Sequence, residues 1–388
     1  MKSIYHAWVA AFALAAAACG SASDDAEDVS TQDDALAGEF RLEGFDETFI
    51  AGDDLGKLAV FHVGSTFSKK SIATPAEEMP LAMRTHGAKF YLLYSGGRLL
   101  VVNASTAALE QTITLPVTDP ADFEFASDTA IYVSEKSQAK VVQIDLPSRK
   151  VKASIDLGSF KSAGGSVEPR RLYCNGNVLF AQVARTKANH RPEQGALAVV
   201  DTRSNAVKKK IELELPKADG AGKYSGLEPD LPMVLDAKRN LLLVTAIGVR
   251  PQDTGMLFRI DTKGLAVHDV KEAQSGFQGA VSFRAPYSDL FIIYHTSTPT
   301  TSTHLFSALV KADGTIQDRT GSLVDAFDGM DAVDMNAKGT LVALANTCIT
   351  GFCTKGAGVN FVDAKTRKVL PKLLASEMGF EPTFVLFH

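Results

Sequence analysis

"IYVSEKSQAKVVQIDLPSRKVKASIDLG", Ile131 to Gly158, decides how this chain is read. Three short runs rich in Val, Ile and Tyr have strand composition, and two polar turns join them. Three strands alone leave apolar surface bare until something packs on it. Such a unit demands further copies, and the first search is for repeats.

Working outward, the same order of strand, loop, strand ending in Asp or Asn, turn and strand recurs. Thr48–Pro75 reads "TFIAGDDLGKLAVFHVGSTFSKKSIATP" and Lys89–Pro116 reads "KFYLLYSGGRLLVVNASTAALEQTITLP". Asn177–Glu214, Asn240–Ala273, Asp289–Val324 and Thr340–Ser376 follow the pattern. Ile50, Tyr91, Tyr132, Phe180, Leu243, Ile292 and Ala343 are equivalent, spaced by 41, 41, 48, 63, 49 and 51 residues. A fourth strand precedes most units, as in "PLAMRT" from Pro80, "PADFEF" from Pro120, "PRRLYC" from Pro169 and "PMVLD" from Pro232. Proline suits a strand start because it offers no ladder donor. The first unit has no such strand before it, and "EPTFVLF", Glu381–Phe387, has no unit after it. The expectation is an all-β, seven-bladed β-propeller closed by a C-terminal inner strand added to the N-terminal blade, which removes two open sheet edges.

The Ile131 stretch also resembles the YVTN-type repeat of bacterial seven-bladed propellers. "IYVSE" stands at that family's tyrosine-valine-threonine-asparagine strand, and "VVQID" at its V-x-x-I-D turn. The ending recurs as "DTRSNAV" from Asp201 and "DAKTRKV" from Asp363. Glu135 replaces the fourth signature letter, and the sixth unit, "FSALVKADG", lacks the Asp. The resemblance implies a binding or interaction scaffold rather than a defined enzyme.

Composition narrows the choice. The only tryptophan is Trp8, so residues 39–388 carry no Trp-signature blades of WD40 or kelch type. Ile4–Ala18 is an apolar run behind Lys2, too short to span a bilayer and right for a signal peptide, residues 1–18. Cys19 in "LAAAACGS" is read as a lipidated cysteine anchoring the protein to the membrane. Gly20 behind it, by resemblance to Gram-negative lipoproteins, implies the outer membrane. The alternative is cleavage after Ala16-Ala17-Ala18 and a soluble periplasmic or secreted protein. Residues 19–38 form an acidic tether poor in large apolar groups. Its six acids account for the excess of 45 Asp and Glu over 40 Lys and Arg, leaving the propeller near neutral and without a nucleic-acid footprint.

Cys348 and Cys353 in "NTCITGFCTKG" are expected to form a loop disulfide, and Cys174 to be a lone thiol. Loops between second and third strands share a face with the connections between units, and both lengthen in the later units. Candidate binding residues on or near that face are Glu168, Glu228 and Glu381 before inner-strand prolines, Arg170, Arg191 and Arg250, and His190. His295 and His304 bracket one hairpin and are expected to face one another. No G-x-S-x-G, H-E-x-x-H or phosphate loop is present. The chain is therefore read as a monomeric, noncatalytic, cofactor-free envelope lipoprotein binding a protein, peptide or glycan. The alternative is a hydrolase resembling lactonases, with a divalent cation held at the channel by carboxylates such as Glu168 and Glu381.

Overall fold

The structure is a computed structural model that describes residues 40–53, 55–72, 80–188, 192–214, 227–228, 233–237, 239–248, 256–272, 281–282, 289–296, 302–310, 316–318, 324–326, 330–347 and 356–388. These belong to the unit Asp34–His388. Cys19, His190, Arg191, Arg250, Cys348 and Cys353 lie outside the described residues.

The opening stretch folds as read. Ala130–Glu135, Lys140–Asp145 and Lys150–Asp156 form successive antiparallel strands, with Pro120–Ser127 added inside them. Ala130–Glu135 is buried at every position, whereas Lys150–Asp156 is mostly exposed. An inner strand is covered on both faces by neighbouring sheets, so it reads as one apolar run. An outer strand meets solvent and carries lysines that discourage edge pairing.

The described strands hydrogen-bond into seven sheets. Contacts between sheets run in chain order: Ala82–His86 meets Pro120–Ser127, which meets Ser166–Asn175, and Pro192–Asp201 meets Leu227–Glu228. Val281–Ser282 meets Met330–Met335, and Phe384–Phe387 meets both Met330–Met335 and Ala82–His86. The architecture is an all-β propeller. The expectation of four strands per unit holds in five sheets and fails in two. In the fifth, the inner strand is split into Leu227–Glu228 and Val234–Asp236, both paired with Leu241–Gly248. In the sixth, Ser302–Val310 pairs with both Ile316–Asp318 and Val324–Ala326.

The last strand joins the first sheet. Phe384–Phe387 pairs with Glu47–Gly52 through Phe49↔Phe387, Ile50↔Leu386, Ala51↔Val385 and Gly52↔Phe384. Thr383 and His388 extend the ladder, donating backbone N–H to Gly52 and Thr48 carbonyls at 2.8 and 2.9 Å. Gly52 is required here, because an added Cβ would lie 2.5 Å from both Leu58 and Phe384. Fully buried Phe49 stacks on Phe61 at 5.1 Å and meets Phe361 and Phe387 edge-on at 5.7 and 5.9 Å. Each such phenylalanine contributes about 1.5–3 kcal/mol by burial. Asn336 and Lys338 of the seventh sheet both donate to the buried Glu47 carboxylate, at 2.8 and 3.3 Å.

Candidate functional site

Backbone hydrogen bonds close the strand ends on both faces of the wheel. On one, the residue after each strand-ending Asp or Asn donates its N–H to the neighbouring turn of the same sheet. The pairs are Ala104 to Ala88, Leu146 to Thr129, Thr202 to Asn177, Thr262 to Asn240 and Ala364 to Thr340, at 2.8–3.0 Å. The Asp or Asn itself accepts turn N–H groups, as Asp145 does from Ser148 at 3.0 Å and Asp201 from Arg203 at 2.9 Å. These short turns are closed on themselves.

On the other face, loops meet the connections between sheets. Lys136 donates to Asp119 O at 3.0 Å, Leu115 to Gly97 O at 2.8 Å, and Leu157 to Ala139 O at 2.8 Å. Glu135, the divergent signature residue, has its role here. Its buried carboxylate accepts the Thr118 N–H at 3.0 Å and the Thr118 hydroxyl at 2.8 Å, with Lys140 at 3.2 Å. Burial alone would push its pKa up; these donors outweigh burial and hold it below the usual carboxylate range.

Beneath this face, inner strands carry a charged cluster. Arg84 Nη2 donates to Asp122 Oδ1 and Oδ2 at 2.9 and 2.8 Å, and Nε donates to Glu124 Oε2 at 3.2 Å. Leu172 N donates to Asp122 Oδ2 at 2.8 Å. Ser134 Oγ accepts the Asp122 N–H at 2.9 Å and donates to Arg170 O at 2.7 Å. Arg171 reaches back to Leu81 O at 3.0 Å. Three consecutive sheets are thereby joined by charge. β-Bulges at Pro120/Asp122 and Pro169/Leu172 re-aim the residues involved. Burial opposes the charge on Arg84, but Asp122 and Glu124 more than offset it and hold the guanidinium above its usual range. Burial raises Glu124, with the Asp122 charge adding to the rise and Arg84 opposing it. Cys174, a free thiol, is pushed up to about 11 by burial and then by Glu124.

Glu168 and Arg170 come together in an ion pair of 2.7 Å, so the Glu168 carboxylate is partly neutralised by its own strand. Glu381 is exposed just before the closing strand. Glu228 pairs through its backbone with Ile247. The expectation that His295 and His304 face one another is corrected by the register: His304 is opposite Tyr294 and His295 opposite Thr303, one step apart. The hairpin closes through Thr296↔Ser302, and this sets the offset. Among the described residues, no three His, Cys, Asp or Glu side chains form a metal-holding group.

Arg84, Asp122 and Glu124 escaped the sequence reading, although a signal existed. Arg84 pairs with Tyr91, Glu124 with Tyr132 and Asp334 with Ala343. Three inner strands thus place a charge opposite the same equivalent position, and Asp334 Oδ2 accepts the Phe387 N–H at 2.8 Å.

No protein-family model and no curated protein matches the chain. Among solved structures it is similar to hydrazine synthase of Kuenenia stuttgartiensis, with TM-score 0.52, 12% identity, 76% of this chain and 80% of the other covered. It is also similar to the β-propeller domain of Cps50 (Swd1) of Myceliophteria thermophila, with TM-score 0.50, 13% identity and coverages of 76% and 86%. A computationally designed protein, Ika8, superimposes with TM-score 0.50 at 12% identity, covering 84% of each chain. At such identities the likeness speaks for the β-propeller fold alone.

Proposed function

We propose that the chain is a seven-bladed ring exported by residues 1–18, anchored to the outer membrane through Cys19, and acting as a noncatalytic scaffold. It binds an envelope protein, peptide or glycan through the face where loops and inter-sheet connections meet. The carrying observation is where the connections meet. Repeated backbone hydrogen bonds close both faces, but on one of them the loops also meet the connections between sheets, as Lys136 N meets Asp119 O at 3.0 Å. Loops held on a rigid frame are where binding residues concentrate. The charged cluster of Arg84, Asp122 and Glu124 acts in this reading as the frame, because its charges are spent on one another.

A photo-crosslinking residue at Lys136, on the loop face, and another at Ser204, on the turn face, test the reading in intact envelopes. Capture of one defined species from Lys136 but not Ser204 supports it; equal capture from both, or from Ser204 only, contradicts it. The anchor is tested by fatty-acid labelling, expected in the natural chain and absent in Cys19→Ala.

A further inference from the structure

A groove of about 370 Å³ lies at the outer edge of the first sheet, between the loop before Leu58–Val63 and the segment leading into the closing strand. Its volume is at the lower end of small-molecule sites. The floor is apolar and buried: Leu58 is 3% exposed, Ile72 7%, Met378 0% and Phe380 8%. Leu55 stands at the lip, 68% exposed, an unusual position for a large apolar side chain.

The charged side chains in the lining, Lys57 and Lys69, are both cations. Among the described residues neither has a carboxylate within ion-pair distance. Asp53, close by, spends Oδ1 on the Leu55 and Lys57 N–H groups at 3.0 and 2.8 Å. Glu377 accepts the Leu374 N–H at 2.7 Å. Gly379 holds φ +76°, and its Cβ position lies 3.1 Å from Lys69 Nζ, which places that ammonium against the backbone of the groove wall.

We propose that this groove binds an amphipathic carboxylate. An unbranched acyl chain lies against Leu55 and along the accessible edges of Leu58, Ile72 and Phe380, and its head group sits between Lys57 and Lys69. Two cations over an apolar floor match one anionic head with one apolar tail. Met378 and Phe380 precede the closing strand, so an occupied groove also holds the latch in place by mass action. The inference does not depend on the scaffold role proposed above.

The test titrates the full chain with hexanoate, octanoate and decanoate by calorimetry, with octylammonium as the charge-reversed probe. One site per chain is expected, tightening by roughly fourfold per added methylene until the groove is filled. Octylammonium and the doubly reversed variant Lys57→Glu/Lys69→Glu should each weaken binding by about tenfold or more, relative to octanoate on the natural chain. Lys57 is exposed and Lys69 half-buried, and neither pairs with a carboxylate among the described residues, so the variant is expected to unfold within a few degrees of the natural chain without ligand. The proposal is overturned by no saturable octanoate binding below about 10 mM. It is also overturned by equal binding of octylammonium, or by octanoate binding unchanged in the double variant. The octylammonium comparison needs no variant, so it decides even if the variant fails to fold.

Discussion

Arg84 faces Asp122, which is fully buried, and Glu124, whose side chain is 17% exposed. Removing the guanidinium leaves two carboxylates without their cation in a place from which water is largely excluded. Arg84→Leu is therefore expected to cost about 3–5 kcal/mol in denaturant unfolding. A loss under 1 kcal/mol would show that Asp122 is held by its backbone donors instead. At Cys174 the raised pKa leaves little thiolate at pH 8. Alkylation mapped by mass spectrometry should run on the order of a hundredfold slower there than at an unfolded cysteine, and denaturant should abolish the difference. Asp145 behaves oppositely. Lys152 first, then the Ser148 hydroxyl and N–H, lower it from 3.8 to about 2. Its contribution is full above 3.8 and is lost as pH falls through about 2, so unfolding temperature should drop across that interval. Asp145→Asn should make the drop shallower; an unchanged slope would remove Asp145 from the explanation.

The recurring element is the turn after each strand-ending Asp or Asn. Four residues on, the backbone is left-handed: Ala107 at φ 58°, Arg149 at 56°, Asn205 at 53°, Leu265 at 53° and Arg367 at 58°. One residue before the Asp or Asn, four sheets show the same register shift, at Val101/Val102, Gln143/Ile144, Val199/Val200 and Arg259/Ile260. A left-handed residue closing a four-residue loop and joined to a bulge is a hairpin connection of the kind built around a type I turn. Only Asn205 is of a type that tolerates that backbone well. Arg149, exposed and costly there, should gain up to about 1 kcal/mol on replacement by glycine, measured by thermal unfolding. This device was legible because aspartate, turn and following strand are adjacent in sequence. The inner-strand bulges were not, since Arg170 and Arg171 shift the register only relative to Val183 and Ala181, a partner that the local pattern does not reveal. The histidine hairpin failed in the same way. Bracketing a loop says nothing of whether two residues meet or miss by one step.

At the scale of the whole molecule, the circular order of sheets was legible from repeat spacing, and the closing strand from a strand left over at one end with a vacancy at the other. The charged cluster was harder to see. Arg84 and Asp122 are 38 positions apart, and Asp122 and Leu172 are 50 apart, so only the curvature of the wheel brings them together. The latch combines a four-residue ladder with the Phe49, Phe61, Phe361 and Phe387 cluster. Gly52→Val should wedge Phe384 off the sheet and lower the unfolding temperature by several degrees, whereas Gly87→Ala, with open space at its Cβ, changes backbone strain alone and should lower it less.

The most direct measurement is thermal unfolding of a chain ending at Gly379, alone and with a synthetic peptide spanning Phe380–His388. If the ends of the chain close the wheel, truncation lowers the unfolding temperature by many degrees and broadens the transition, and the peptide restores both in proportion to its concentration. A truncated chain that unfolds at the original temperature, indifferent to the peptide, would contradict closure by the C-terminal strand.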